Sequence, residues 1–315
     1  MLANFLNKTK PINFIGLLIF FFICFSTSIF FSIFKEGFTL NKLLDSSFLL
    51  FLFLGVFFFY NFILSKNRLT FDNSYAYFLF TILTTSILSE LINYRSLILV
   101  IIYFLFLRKT YSLRTSKLII QKLFDSGLWL GVLFILEPFS ILFLILIFTG
   151  ILLHQKTTIH TLFAPIIGFI TPLFLFFTYF FWFDKTEEFT QLFNFNINFD
   201  FQFYGSQKYT WLIASLFIAS VISIIFKSIE IIAVNNTFRK SWSLLIVNFL
   251  VGILFLLFLP TKNGSEIFFI LFPVSVIIAN GIELIKKTII KNLVLYVFLF
   301  GCIFLEFFLY FFSKS

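Results

Sequence analysis

The stretch NFIGLLIFFFICFSTSIFFSIF, residues 13–34, contains no charged side chain. About 20 apolar residues in a helix cross the ~30 Å hydrocarbon core of a bilayer, so this stretch is long enough to span it. Comparable apolar runs lie at 162–183, 242–259 and 293–312. With 60% hydrophobic and 12% charged residues, the chain has more apolar surface than a water-soluble core can bury. The sequence predicts an all-α integral membrane protein in which residues 1–315 form one membrane domain.

Apolar runs separated by polar breaks predict a helix bundle of about eleven transmembrane spans. The predicted spans are 13–34, 46–64, 75–92, 96–107, 124–136, 138–153, 162–183, 210–226, 242–259, 267–282 and 292–312. Three of them, 96–107, 124–136 and 138–153, are short for a straight crossing. We interpret these three as short spans, half-helices or re-entrant elements. Treating 124–153 as a re-entrant pair leaves every later loop on the same side.

Basic residues concentrate in alternate loops, as Lys10, Arg68 and Arg114 illustrate. Assigning the N-terminus to the cytoplasm places most of the 23 Lys and Arg residues inside and most of the 14 acids outside. The net charge of +9 therefore reflects topology and does not indicate a nucleic-acid partner. The densest basic stretch, RKTYSLRTSKLIIQK at 108–122, either sets this topology or lies along the anionic inner leaflet.

The longest polar excursion is DKTEEFTQLFNFNINFDFQFYGSQKY, residues 184–209, which the topology assigns to the outer face. Its alternating Asn and Phe residues predict either a strand or an interfacial segment whose rings lie at the headgroup level. The segment is an ordinary surface loop or a lid over an outer-face site.

The sequence contains no glycine-rich phosphate loop, no HExxH motif and no GxSxG motif. Its two histidines, His154 and His160, are six residues apart, a spacing that does not place them on one helical face. Cys24 and Cys302 both fall inside predicted spans, where we interpret them as small buried side chains. The sequence therefore predicts no metal site built on histidine or cysteine.

The remaining candidates for chemistry are charged residues that the topology gathers near the outer face. They are Glu36, Asp45, Glu90, Arg95, Glu137, Asp184, Lys262 and Glu266. A carboxylate there can act as a general base toward a hydroxyl or hold a divalent cation against a phosphate. Arg95 and Lys262 can hold a phosphate by charge. The alternative is that outer loops carry acids because the positive-inside bias moves bases elsewhere.

Glu137 differs from the other acids because it lies within an apolar stretch, LFILEPFSILF at 133–143. Such residues face the bundle interior or a water-filled cavity, because a charge in hydrocarbon costs a few kcal/mol on insertion scales. Pro138 is compatible with the first turn of a helix, where its missing N–H has no helical partner to lose. The pair predicts a helix start at Pro138 with the Glu137 carboxylate at the helix N-terminus.

Four segments together resemble the GT-C polytopic glycosyltransferases, which move a sugar from a polyprenyl-phosphate carrier at the outer membrane face. They are SKNRLTFDNSYAYFLFTIL, FLFLRKTYSLRTSKLIIQKLFDSGLWLGVLFILEPFSILFLILIF, TPLFLFFTYFFWF and PTKNGSEIFFILFPVSVIIANGIE. The chain also resembles an uncharacterised family of bacterial inner-membrane proteins with the same FD-x3-W and NGSE-x-x-F patterns. That resemblance implies the bacterial inner membrane, in which the topology predicted from Lys and Arg puts the N-terminus in the cytoplasm and the 184–209 loop in the periplasm.

The resemblance implies that Glu36 or Asp45 is the catalytic acid and that Lys262 contacts the carrier phosphate. The adjacent acidic pair usual in that superfamily is absent, because Glu36 is flanked by Lys35 and Gly37. Arg95, Glu137 and Glu266 are further candidates for binding substrate or phosphate. The implied partners are membrane lipid and a polyprenyl-phosphate-linked sugar, and the cofactor that the resemblance allows is Mg²⁺ or Mn²⁺.

Three functions are compatible with these observations. The first is a GT-C-like glycosyltransferase acting on lipid-linked glycans. The second is a non-enzymatic scaffold or assembly factor of the cell envelope, whose outer acids would not converge on one site. The third is a transporter, although the two halves of the chain show no matching interrupted segments of the kind many transporters have. The sequence predicts neither the sugar and acceptor nor the oligomeric state.

Overall fold

The computed structural model describes residues 1–115, 117–154, 156–197, 199, 201–231 and 236–312, without the side chains of residues 36, 207, 237 and 306–312. All regular secondary structure in this part of the chain is helical. Fourteen α-helices are described: α1 Leu2–Leu6, α2 Pro11–Ser32, α3 Leu40–Asn67, α4 Tyr75–Ser86, α5 Leu88–Leu91, α6 Tyr94–Tyr111, α7 Ile119–Leu136, α8 Leu144–Leu153, α9 Ile159–Trp182, α10 Thr186–Thr190, α11 Gln207–Ile231, α12 Asn236–Phe258, α13 Phe268–Glu283 and α14 Thr288–Phe312. The prediction of an all-α bundle is confirmed.

Within the described residues, nine helices are long and apolar enough to cross a membrane. The protein is therefore a multi-pass helical membrane protein. The predicted spans 96–107 and 124–136 were too short, because α6 and α7 each contain 18 residues. The third short prediction, 138–153, is still short as a helical element: a 3₁₀ helix, Pro138–Phe143, precedes the ten-residue α8.

The predicted span 75–92 is interrupted at Ile87, where α4 ends and α5 begins. Three hydroxyls at this point bond carbonyls of the preceding turn: Thr84 to Phe80, Thr85 to Ile82 and Ser86 to Leu83. Hydroxyl side chains that bond back in this way bend helices. The three hydroxyl side chains at the end of α4 thus account for the interruption of the helix at Ile87.

Helices α4 and α13 lie at the centre of the bundle. Every residue of α4 is buried, and so are nearly all residues of α13. Tyr60 of α3 packs between them, with its ring stacked 3.8 Å from that of Phe80. Its hydroxyl lies 3.0 Å from the Ala76 carbonyl oxygen and 2.8 Å from Ser275 Oγ. The core is thus aromatic, and the Tyr60 hydroxyl within it is hydrogen-bonded to both central helices.

A second buried polar contact compensates for Pro273 inside α13. Proline has no N–H, so the carbonyl of Phe269, four residues earlier, loses its helical donor. The Tyr103 hydroxyl lies 3.2 Å from this carbonyl oxygen and 3.0 Å from Asn248 Oδ1. Asn248 Nδ2 in turn donates to the Tyr111 hydroxyl at 3.3 Å. In an apolar bundle, these side chains provide the partners that the solvent cannot.

Replacing Tyr103 by Phe removes this hydroxyl while keeping the ring. We expect the free energy of unfolding to fall by about 1–3 kcal/mol, because a buried acceptor is left without a donor. Thermal or denaturant unfolding in detergent measures the change. Tyr296→Phe on the exposed face of α14 is the matched control and should leave stability unchanged. Equal stability of the Tyr103 variant and the control would contradict this assignment.

Helices α7 and α9 approach closely through glycines. A Cβ added at Gly127 would overlap the carbonyl oxygen of Pro165, and one added at Gly168 would overlap that of Phe124. A Cβ at Gly131 would lie 2.6 Å from Pro172 Cγ. Small residues four apart, as in the 127–131 segment GLWLG, allow membrane helices to pack backbone to backbone. This contact fixes α9 against the helix that ends beside Glu137.

Contacts between α3 and α6 define two ends of the bundle. At one end the Tyr94 hydroxyl donates to Asp45 Oδ1 at 3.0 Å. At the other end Arg114, which follows α6, donates through Nη1 to the carbonyl oxygen of Asn67, the last residue of α3, at 2.7 Å. We refer to these as the Glu137 end and the Arg114 end. Predicted outer residues gather at the first and predicted inner cations at the second, while which end faces the cytoplasm stays a prediction.

A charged cluster at the Glu137 end

The Glu137 end is built where α6 begins and α7 ends. Asn93 caps α6 by accepting a hydrogen bond from the Arg95 N–H at 3.0 Å. The Arg95 side chain is exposed and donates through Nη2 to the Leu136 carbonyl oxygen at 3.2 Å. That carbonyl belongs to the last turn of α7, whose acceptors have no helical donor. The contact places the guanidinium beside Glu137, and its remaining N–H groups bond no described residue.

The Glu137 carboxylate is half-buried and accepts no hydrogen bond from any described residue. Burial raises the pKa of Glu137 above that of an ordinary glutamate; Arg95 opposes this rise and the negative charge of Glu266 adds to it. Pro138 begins the following helix as predicted, but that helix is 3₁₀ and the Glu137 side chain does not cap it. Glu137 is thus an available carboxylate with weakened acidity.

Glu90, on the short helix α5, forms a buried ion pair with Lys208 at the start of α11. Lys208 Nζ lies 2.9 Å from Glu90 Oε1, and the two side chains are 6% and 12% exposed. The Tyr209 hydroxyl donates to the same oxygen, and Ser89 Oγ donates to Oε2 at 2.8 Å. Burial alone would raise the pKa of Glu90, but the charge of Lys208 and these hydrogen bonds outweigh it and lower the pKa. This carboxylate is therefore ionised and fully bonded.

Glu266 is 3% exposed and is bonded on both oxygens. The Tyr204 hydroxyl donates to Oε1, and the Asn263 N–H lies 3.2 Å from Oε2. Burial, followed by the charge of Glu266, raises the pKa of Tyr204, so the phenol keeps its proton. Gly264 connects this site to the previous one: its φ is +88°, and an added Cβ would lie 2.9 Å from Glu90 Cγ. We refer to Glu90, Arg95, Glu137, Lys208 and Glu266 as the charged cluster.

Of the two structures predicted for segment 184–209, the strand is not formed by its described residues, while the interfacial position of its rings stays a prediction. The segment contains α10, a 3₁₀ turn at Gln191–Phe193 and another at Phe203–Gly205, and no strand among the residues described. Phe195 packs on Phe139 with ring centroids 5.7 Å apart, and Phe193 packs on Phe134 at the same distance. The segment therefore covers the end of α7 and the 3₁₀ helix that follows Glu137.

The structure brings Arg95, Glu137 and Glu266 into one cluster. Asp45 is exposed and lies beside it, bonded to Tyr94. Lys262 Nζ donates to the Leu259 carbonyl oxygen at 2.9 Å and lies 4.8 Å from the centre of the Phe201 ring. The side chain of Glu36 lies outside the described residues.

Sequence reasoning missed Lys208, Tyr209 and Tyr204. Lys208 and Glu90 are 118 positions apart, and no local pattern connects them. The one available signal was a lysine directly before a long apolar run, since a cation at a span boundary needs a counterion if it is buried. Among the described residues, no group of three His, Cys, Asp or Glu side chains is arranged to hold a metal ion.

The fold and the cluster define a multi-pass helical membrane protein with a partly buried charged site at one end. Comparison of the chain with protein-family models, with curated proteins and with solved structures finds no match.

Proposed function

We propose that the protein transfers a sugar from a polyprenyl-phosphate carrier at the Glu137 end, as a glycosyltransferase of the GT-C type. The observation that carries this proposal is the position of Glu137, a half-buried carboxylate without a hydrogen-bond donor, beside the exposed guanidinium of Arg95. Such a pair offers a base for an acceptor hydroxyl and a cation for a phosphate. The proposal places this end at the periplasmic face of a bacterial inner membrane, with the N-terminus in the cytoplasm.

In this reaction the acceptor hydroxyl attacks the anomeric carbon of the sugar, and its proton passes to a Glu137 carboxylate oxygen. The bond between the anomeric carbon and the phosphate oxygen breaks, and its electron pair leaves with the polyprenyl phosphate. Arg95 stabilises the negative charge that the phosphate gains. The raised pKa of Glu137 suits this role, because a base accepts a proton more readily as its pKa approaches the working pH.

The proposal assigns the base to Glu137 rather than to Asp45 or Glu36. Asp45 is exposed and already accepts a hydrogen bond from Tyr94, whereas Glu137 is partly desolvated and unbonded. Glu90 and Glu266 serve as fixed structure, since their oxygens are occupied by Lys208, Tyr204 and the neighbouring donors. A non-enzymatic envelope scaffold would account for these two bonded acids, but it gives no reason for an unbonded carboxylate beside a cation.

Replacing Arg95 by Gln tests the phosphate contact. We expect binding of polyprenyl phosphate to weaken by about 10-fold or more, since hydrogen bonds to a charged group contribute about 1.5–3 kcal/mol. The measurement is the concentration of polyprenyl phosphate that raises the melting temperature of the detergent-solubilised protein. Lys185→Gln, which removes an exposed cation from segment 184–209, is the matched control. Equal binding by the two variants would contradict the assignment of Arg95.

The same titration tests the divalent cation that the resemblance allows. Carboxylate oxygens are the ligands that Mg²⁺ prefers, and Glu137 is the described acid of the cluster with unbonded oxygens. Polyprenyl phosphate binding is therefore measured with Mg²⁺, with Mn²⁺ and with a chelator. Tighter binding with either ion, lost in Glu137→Gln, would add a metal to the proposal, and equal binding under all three conditions would remove it.

A further inference from the structure

A cavity of about 920 Å³ lies at the Arg114 end, far along the bundle from the charged cluster. Its walls come from the start of α2, the end of α3, the 70–74 loop and the start of α4, with Arg114 and Phe238 completing the wall. Its size falls in the range of pockets that hold small organic ligands. Its lining is both apolar and polar, since Phe14, Ile15 and Leu64 line it together with Asn61 and Ser65.

Three cations line the cavity: Lys10, Arg68 and Arg114. None of them forms an ion pair with a described carboxylate, although Asp72 also lines the cavity. Arg114 is oriented by its hydrogen bond to the Asn67 carbonyl. Positive charges that share one cavity repel each other, so an anion placed between them relieves the repulsion.

We propose that this cavity binds the phosphate of an anionic lipid between Lys10, Arg68 and Arg114. The part of the acyl chain nearest the headgroup then lies against Phe14 and Ile15. Phosphate suits the site because guanidinium groups bond it with more than one N–H. A lipid suits it because the apolar wall continues onto the exposed face of α2, where Ile15 is 54% exposed. The positive-inside pattern predicts that this end faces the inner leaflet, where anionic lipids concentrate.

This site lies at the opposite end from the proposed transfer reaction and does not depend on it. The test measures binding of phosphatidic acid to the full-length protein in detergent by native mass spectrometry. The variants are Arg68→Gln with Arg114→Gln, and the control is Lys66→Gln with Lys117→Gln, which removes two exposed cations nearby that do not line the cavity. We expect at least about a 10-fold loss of affinity in the first pair and none in the control.

Two comparison ligands, phosphatidylcholine and inorganic phosphate, show whether the cavity recognises an anionic lipid or phosphate alone. We expect phosphatidylcholine to bind more weakly, since its choline group offsets the phosphate charge, and inorganic phosphate to compete only at much higher concentrations. Equal affinity of both double variants would overturn the site. Inorganic phosphate competing as well as the lipid would overturn the lipid assignment.

Because Arg114 also bonds the backbone, Arg68→Gln alone and Lys10→Gln serve as second variants if the double variant does not fold. Each should weaken phosphatidic acid binding, and wild-type affinity in both would overturn the proposal. Arg95→Gln, at the other end, should leave phosphatidic acid binding unchanged. A loss of binding in Arg95→Gln equal to that in Arg68→Gln would show that the lipid occupies the Glu137 end instead, and would also overturn the proposal.

Discussion

Replacing Glu137 by Gln should lower the rate of the proposed glycosyl transfer by about 10²–10⁴-fold, the contribution that a positioned general base makes. The variant keeps the size and the hydrogen-bonding atoms of the side chain but cannot accept the proton of the acceptor hydroxyl. The measurement is release of polyprenyl phosphate from a polyprenyl-phosphate sugar, followed by mass spectrometry, with membrane extract as the source of acceptor. Glu187→Gln, an exposed acid on α10, is the matched control and should retain the wild-type rate.

Glu137→Gln should lower the rate of transfer without lowering the stability of the folded protein. Because the pKa of Glu137 is raised, the folded protein binds this proton more tightly than the unfolded chain does. The group therefore favours folding at low pH, and this contribution is lost as the pH rises through the raised pKa. At neutral pH the ionised side chain destabilises the folded state, so Glu137→Gln should leave the melting temperature unchanged or raise it. Loss of transfer without loss of stability separates a chemical role from a structural one.

The pH dependence of transfer follows from the same shift. The rate should fall as the pH is lowered through the pKa of Glu137, with a midpoint above the ordinary range of a glutamate. This acidic limb should be missing from the residual activity of Glu137→Gln.

Asp45→Asn and Glu36→Gln test the residues that the GT-C resemblance implies. A loss confined to either of them, with full activity in Glu137→Gln, would move the base to the first outer loop.

Replacing Glu90 by Gln lowers the free energy of unfolding by about 3–5 kcal/mol, the effect of removing one partner from a buried ion pair. The reason is that the Lys208 ammonium, only 6% exposed, loses the carboxylate 2.9 Å away. Because the pKa of Glu90 is lowered, its contribution is present at neutral pH and lost as the pH falls through that lowered value. Denaturant unfolding in detergent at neutral pH measures the change.

An exposed ion pair in segment 184–209 provides the control for Glu90. Lys185 Nζ lies 3.5 Å from Glu188 Oε1, and both side chains are more than half exposed. Glu188→Gln should therefore cost less than about 1 kcal/mol. Combining Glu90→Gln with Lys208→Met should recover part of the lost stability, because the buried charge is removed along with its partner. Equal effects of Glu90→Gln and Glu188→Gln would contradict the burial of the pair.

The spans could be predicted because crossing a membrane is largely a local property of the sequence. The uncharged run 13–34 became α2, Pro11–Ser32, with a shift of two residues at each end. The boundaries of α6 and α7 were placed too far inward, because their ends carry polar and basic residues that the apolar criterion excludes. The break at Ile87 depends on three hydroxyls bonding back onto the helix, which apolar spacing does not register.

The charged cluster could be predicted only in part. Glu137, Arg95 and Glu266 were candidates because alternate loops gather at one end, a consequence of topology alone. Their bonding states were not predictable, because the ion pair of Glu90 with Lys208 and the contact of Tyr204 with Glu266 join residues far apart in the chain. It is these contacts that leave Glu137 as the unbonded carboxylate.

Cryo-electron microscopy of the protein with a bound polyprenyl-phosphate sugar would show directly whether Arg95 and Glu137 hold the sugar donor. We expect the phosphate within hydrogen-bond distance of the Arg95 guanidinium and the anomeric carbon on the side of the Glu137 carboxylate. The polyprenyl chain should leave the site along the lipid-facing surface at the Glu137 end. Density for the sugar phosphate in the cavity of Arg68 and Arg114 with none beside Arg95 would contradict the proposed transfer site. So would density beside Arg95 from which the Glu137 carboxylate points away.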